Sequence, residues 1–209
     1  MQQVDVILLA VKPNVLGNVA ASIRSLLTPA HTVVSIAAGW TMQMLTEALG
    51  ETAPILRLMP NTPALVNASM TAICAEHHLE AEVFAWVQEL LNAVGRTVVL
   101  PEKLFDAVIA ISGSSPAYVY MFIEAMADAG VQEGLPRALA YEMAAQSVLG
   151  SAQMVLETKK HPGELKDAVC SPGGTTIDAV VSLERSGFRA AVMDAMAACA
   201  EKSRKMQKK

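Results

Sequence analysis

The chain has 209 residues, a formal net charge of −4, and a composition that is 53% hydrophobic but 4% aromatic. That length supports one large domain or two small ones around a core of Ala, Val, Leu, Ile and Met. The acidic balance and the lack of a basic stripe exclude a nucleic-acid surface, and the terminal Lys202, Arg204, Lys205, Lys208 and Lys209 read as cations complementing the dipole of a last helix.

The first predicted element is the nearly continuous apolar run Val4-Asp5-Val6-Ile7-Leu8-Leu9-Ala10-Val11, which reads as a strand buried on both faces of a parallel sheet. A helix from about Val15 to Leu27 follows and Pro29 ends it. Thr32–Ile36 is a second strand, Thr41 caps a helix running to about Leu49, and Ile55–Leu58 is a third strand. Strand, helix, strand, helix, strand is the doubly wound α/β pattern. Its ligands bind beyond the carboxyl ends of the strands, where Ala10–Pro13, Ala37–Gly39 and Asn61–Pro63 fall. Residues 70–75 read as a further strand, 81–94 as a helix and 96–100 as a final strand.

Pro101 marks the expected domain boundary, dividing an α/β region, 1–101, from an all-α region, 102–209. Helical segments are predicted near 102–112, 116–133, 136–158, 163–170, 174–185 and 188–207. The segment from Pro116 to about Glu133 is apolar nearly all round, with Glu124, Asp128 and Gln132 as its polar stripe. Such a helix needs burial on most faces, and an intertwined homodimer is the economical way to supply it.

Cys74, Cys170 and Cys199 are odd in number, far apart and without metal-ligand spacing, so neither a disulfide framework nor a metal site is expected; a reducing cytoplasm fits. Met1–Ala10 lacks a signal-peptide charge pattern, and no apolar run approaches the ~20 uninterrupted residues of a membrane helix. None of His31, His77, His78 and His161 lies in a catalytic constellation. His77-His78 reads as a solvated loop and His161 as part of a helix end. Glu124 and Asp128 read as polar relief on a buried helix, without an acid–base role.

The stretch richest in candidate chemistry is the bend Cys170-Ser171-Pro172-Gly173-Gly174-Thr175-Thr176, between a helix carrying Leu165, Ala168 and Val169 and one carrying Ile177, Val180 and Val181. The first N–H groups of a helix lack intrahelical partners and its start carries partial positive charge, so Gly173–Thr176 could seat a carboxylate. The plainer reading is a corner in which Ser171 or Thr175 caps the second helix. Both stay open on the residues alone.

This bend resembles the signature of the Δ1-pyrroline-5-carboxylate reductases. So do Ala10-Val11-Lys12-Pro13, Ser35-Ile36-Ala37-Ala38-Gly39, Met59-Pro60-Asn61-Thr62-Pro63, Ser112-Gly113-Ser114-Ser115-Pro116-Ala117-Tyr118 and Gly134-Leu135-Pro136-Arg137, in the family's order and approximate spacing. Ser115 stands where many members have glycine. The resemblance implies an incomplete doubly wound, Rossmann-like parallel sheet plus a helical dimerisation and substrate domain, in a soluble, cytoplasmic homo-oligomer. It implies hydride transfer from NADPH or NADH to 1-pyrroline-5-carboxylate, giving proline. By the same resemblance Ser171, Gly173, Gly174, Thr175 and Thr176 hold the substrate, with Thr176 touching the reacting ring. Ala10, Val11, Lys12, Pro13, Ala37, Ala38, Gly39, Asn61 and Pro63 hold the nicotinamide end of the cofactor. For Lys12 the plain alternative is a packed stem with its ammonium in water.

No Gly-x-Gly-x-x-Gly occurs in the sequence, although a dinucleotide fold carries it after its first strand. Against the family pattern the sequence begins late, so the first βαβ half, with its phosphate loop and ribose-reading residues, is expected to be missing. A non-catalytic oligomerising fragment is therefore the competing reading, and an in-frame glycine motif upstream of Met1 would favour the enzyme. A 3-hydroxyacid dehydrogenase of similar architecture would need a lysine on a helix facing the cofactor, and the sequence offers no clear candidate.

Overall fold

The computed structural model describes residues 4–207. Its contacts divide into two compact units, one running up to Pro116 and taking in the chain from Met196 onward, the other Ala117–Ala195.

The first unit is built on a five-stranded sheet in the order β1-β2-β3-β4-β5, with β1 Val6–Leu9, β2 Thr32–Ser35, β3 Ile55–Met59, β4 Ser69–Cys74 and β5 Gly95–Leu100. Helix α1, Pro13–Ile23, joins β1 to β2, and α2, Met42–Leu49, joins β2 to β3. Pro13 occupies the first turn of α1, where its missing N–H costs nothing. Thr41 caps α2 as expected, its hydroxyl accepting the Met44 N–H at 3.1 Å. Leu16 and Ala20 of α1 and Leu45 and Leu49 of α2 pack with Leu9, Val33 and Ile55 on one face of the sheet. Val87 of α3, Ala81–Asn92, packs with Val34, Leu56, Leu58 and Ile73 on the other.

Two features depart from the sequence reading. The sheet is parallel through β1, β2 and β3 and again between β4 and β5, but β3 and β4 run antiparallel. The link between them is a short 3-10 turn, Thr62–Val66, closed by Asn67 in the left-handed region (φ 57°), too short for the helical crossover a parallel pair requires. The first strand is not buried on both faces. Ile7 and Leu9 meet the α1–α2 cluster and Val6 the α3 cluster, but Leu8, on this edge strand, is 59% exposed.

Nor do the contacts break at Pro101. Glu102, on a 3-10 turn Glu102–Leu104, reaches back to the sheet, and Phe105 at the start of α4, Phe105–Val108, is fully buried against Ala72 and Cys74. The predicted helix of 102–112 is in fact this 3-10 turn, α4, and a π-helical segment, Ile109–Gly113. The C-terminal end of α9, Phe188–Met206, also docks on this unit: Asp106 Oδ1 accepts from Ser203 Oγ at 2.6 Å and from Gln207 Nε2 at 2.8 Å.

The second unit holds α5, Ser115–Gln132 (from Ala117 on), α6, Arg137–Thr158, α7, Pro162–Val169, α8, Thr175–Arg185, and the first turns of α9. Arg137 pairs with Asp128 across the α5–α6 turn, and Phe122 packs against Phe188 with ring centroids 6.1 Å apart. His161 does not end α6. Lys159, in the left-handed region, does that, while the His161 ring caps α7 by accepting the Gly163 N–H at 3.0 Å. Of α5 only Ala127 is fully buried, and of α6 only Ala140 and Ala144. Tyr120, Met121, Met143, Leu149 and Met154 lie more than half exposed in the single chain.

Candidate functional site

The three loops singled out at strand ends come together in the first unit, because β1, β2 and β3 are adjacent and parallel. Ala10 and Val11 leave β1, and Lys12 takes the cap position of α1, its carbonyl accepting the Val15 N–H at 2.9 Å and the Leu16 N–H at 3.2 Å. The Lys12 side chain is exposed. Beside this loop, Ala37 and Gly39 are buried and Ala38 is half-buried. Gly39 has φ +79°, a conformation that favours glycine, and a Cβ there would stand 3.3 Å from Met206 of α9. On the loop after β2, Ala37, Ala38 and Gly39 contribute only methyl groups and backbone.

Asn61 has a more defined task than its motif discloses. Its Oδ1 accepts the Met70 N–H at 3.1 Å and the Ser69 hydroxyl at 3.2 Å, and its Nδ2 donates to the Ser112 carbonyl at 3.2 Å. The carboxamide thus ties the end of β3 to the start of β4 and to the π-helical segment. Pro63 stands in the first turn of the 3-10 segment, and its carbonyl accepts the Ala68 N–H at 3.0 Å. Asn61 and Pro63 therefore shape this loop, and what they offer a ligand is the backbone they hold in place.

Behind the loops lies a polar cluster absent from the sequence reading. Arg57 on β3 is 2% exposed and pairs with Glu102 at 2.6 Å, while its guanidinium lies 4.5 Å over the centroid of Phe105. The same Glu102 oxygen accepts the Met42 N–H at 2.6 Å, and the Glu102 N–H donates to Glu76 at 2.8 Å. That last bond, with the Cys74 thiol beside it, holds the Glu76 carboxyl below the usual carboxylate range. Burial pushes the Cys74 thiol up to about 12, so Cys74 is not a nucleophile at neutral pH. A sequence signal existed: an arginine inside an otherwise apolar central strand needs a buried partner. His77, read as solvated loop, instead stacks on Phe84 with centroids 4.5 Å apart, and its partial burial, with His78 nearby, lowers its pKa.

The bend of the second unit is a tight turn. The Gly174 N–H donates to the Ser171 carbonyl at 3.0 Å, with Pro172 and Gly173 between them in the order of a type II turn. Gly173 has φ +68°, a conformation that favours glycine, and a Cβ on Gly174 would stand 3.2 Å from the Ser171 carbonyl oxygen, so a side chain there would need the turn to shift. Gly174 is the cap residue of α8, and no side chain caps the helix. The capped-corner reading, with Ser171 or Thr175 as the cap, is thereby corrected. The N–H groups of Thr175, Thr176 and Ile177 begin the helix, with Thr175 exposed and Thr176 half-buried. Small anions are favoured at such a start by its N–H groups and its dipole.

Comparison with known proteins agrees with this architecture. A family described as pyrroline-5-carboxylate reductase dimerisation matches residues 102–206. The pyrroline-5-carboxylate reductase of Escherichia coli K12 is 55% identical over 207 residues, covering 99% of this chain and 77% of that protein. The Synechocystis enzyme is 48% identical over 205 residues, covering 98% of this chain and 76% of the relative. Among solved structures, a Plasmodium falciparum pyrroline carboxylate reductase with NADP bound superposes with a TM-score of 0.91 at 37% identity, over 97% of this chain and 77% of that one. The Streptococcus pyogenes 1-pyrroline-5-carboxylate reductase does so with a TM-score of 0.85 at 39% identity, over 97% and 76%. Identity at this level along nearly all of the chain, on the same fold, means that the chain belongs to the pyrroline-5-carboxylate reductase family.

Proposed function

We propose that the protein is an oxidoreductase that reduces 1-pyrroline-5-carboxylate to proline with NAD(P)H, the last step of proline biosynthesis, acting in the cytoplasm as a homodimer. The observation that carries this is the uncapped start of α8 on a glycine pair that leaves no side chain in the way. Family membership supplies the reaction. We assign 102–209 to dimerisation and substrate binding and 1–101 to dinucleotide binding, although residues 102–116 and the end of α9 pack with the sheet unit.

When bound, the reduced nicotinamide supplies a hydride to the carbon of the protonated ring imine, whose π electrons pass to nitrogen and leave the secondary amine of proline. The work left to the chain is positioning. The N–H groups of Thr175 and Thr176 hold the substrate carboxylate, with Ser171, Gly173 and Gly174 shaping the turn around it. The Thr176 hydroxyl accepts the N–H of the protonated imine and orients the ring. Ala10, Val11, Lys12 and Pro13, Ala37, Ala38 and Gly39, and the loop shaped by Asn61 and Pro63 hold the nicotinamide. The fit is with that end of the cofactor: Ala37, Ala38 and Gly39 offer backbone and methyl groups, against which an uncharged ring can lie.

Thr176→Val keeps size and β-branching and removes the hydroxyl. It should lower kcat/KM for pyrroline-5-carboxylate by roughly ten- to a hundredfold, the equivalent of ~1.5 to 3 kcal/mol for a hydrogen bond to a charged group. Nucleotide affinity should barely move. Ser182→Ala, farther along α8 and exposed, is the control for helix stability. Unchanged kinetics in a folded Thr176→Val protein would remove the hydroxyl from the mechanism and leave the backbone donors.

A further inference from the structure

We infer that Trp40 is the positioning residue that locks together the two loops holding the nicotinamide. The inference rests on the cofactor reading just given. The Trp40 indole N–H donates to the Pro13 carbonyl at 3.0 Å, bridging the loop after β2 to the loop after β1. Pro13 is the first residue of α1, so this bond fixes the helix start and the Lys12 cap together with Ala37–Gly39. The ring also lies along α1: a Cβ on Gly17 would stand 3.6 Å from its Cη2 and 3.8 Å from its Cζ2, ordinary contact distances.

The neighbouring backbone explains why this link has leverage. Upstream, the Ile36 N–H donates to the Leu9 carbonyl at 3.3 Å, still in the manner of the sheet. Downstream, Met42 N–H is fixed by Glu102 and Thr41 caps α2. Between those anchors the chain turns through Gly39 at φ +79°, and the residue that follows the turn sends its side chain back to the neighbouring loop. Small side chains make this loop accessible to a ring but give it little packing of its own. A large, half-buried side chain that joins the α1–α2 core supplies what they lack.

Trp40→Phe removes the N–H and keeps most of the packing. In the full natural chain, the Kd and KM for NADPH should rise about threefold to tenfold, the value of one hydrogen bond, while kcat/KM for pyrroline-5-carboxylate at saturating cofactor stays within about twofold. A merely structural role would lower the active fraction instead, reducing kcat and leaving the cofactor KM where it was. A second measurement leaves Trp40 intact. Trp40 and Trp86 are the two tryptophans, and Trp86 is 52% exposed on α3. In Trp86→Phe, which keeps Trp40, added NADPH should quench a larger fraction of the indole emission than in Trp40→Phe, which keeps Trp86. Equal quenching in the two, or an active parent whose cofactor Kd is unchanged by Trp40→Phe, overturns the role of Trp40 and leaves the reductase reading standing. A parent that binds no NADPH overturns both.

Discussion

Glu102→Ala is expected to destabilise the sheet unit by about 3 kcal/mol, the lower end of the cost of breaking a buried ion pair. The lower end applies because Glu102 is 26% exposed; Arg57, at 2%, is the partner that water cannot reach. Removing the carboxylate strands that guanidinium over the Phe105 ring and leaves the Met42 N–H at the start of α2 without its acceptor. Arg57→Met should cost less, since Glu102 keeps the Met42 N–H and some water, and an apolar side chain replaces a buried charge. Glu102→Gln, which retains an acceptor without the charge, should fall between Glu102→Ala and the parent. Urea denaturation with near-ultraviolet detection measures the order. A loss below about 1 kcal/mol in Glu102→Ala would mean the pair is worth no more than a surface bridge.

That cluster marks the limit of what was legible in the sequence. The alternation of apolar runs and amphipathic helices yields β1 to β3 and α1 to α3 within a few residues, because period and capping are local properties. Thr41 announces a helix start by chemistry that needs no tertiary partner, whereas α1 begins at Pro13, earlier than the Val15 the pattern suggests. Strand direction is different. Residues 60–68 read equally well as a loop to a parallel strand, and only the tight 3-10 turn with Asn67 in the left-handed region reverses the chain. Arg57 finds Glu102 45 positions away and Met42 finds it 60 positions away. No local pattern encodes such pairings, although the lone arginine of β3 signals that one must exist.

The sites divide along the same line. Backbone sites are visible in sequence because small residues and glycines are needed where a ligand or a turn approaches closely, as at Gly39 and at Gly173-Gly174. Roles that depend on where a side chain ends are not. Asn61 belongs to a motif, yet its carboxamide is committed to Ser69, Met70 and Ser112. Trp40 follows a motif and attracts no notice as one large residue after several small ones, until its indole is found on Pro13. His161 looks like a helix terminator by its place before Pro162 and is instead a cap, since its Nδ1 reaches the Gly163 N–H.

Met121→Glu and Leu149→Glu are each expected to dissociate the proposed homodimer, raising its Kd by a thousandfold or more. In the single chain these side chains are 68% and 58% exposed, so a carboxylate there meets water and should cost the folded monomer within about 0.5 kcal/mol. Burial in a second copy changes that balance. A symmetric dimer presents the same patch twice, so one substitution introduces two carboxylates into a dry interface. Each costs several kcal/mol unless paired, and ~4 kcal/mol in total already corresponds to about a thousandfold in Kd. Helices α5 and α6 fully bury no side chain larger than alanine, which is what a helix pair completed by a second copy would look like. Leu90→Glu on α3, at an equally exposed position of the other unit, should leave assembly unchanged. Sedimentation across a range of protein concentrations reads all three. The parent should also melt at a temperature that rises with its concentration, as an obligate dimer does. A monomeric parent, or both helical variants dimeric at low micromolar concentration, would return the exposed apolar faces of α5 and α6 to ordinary surface.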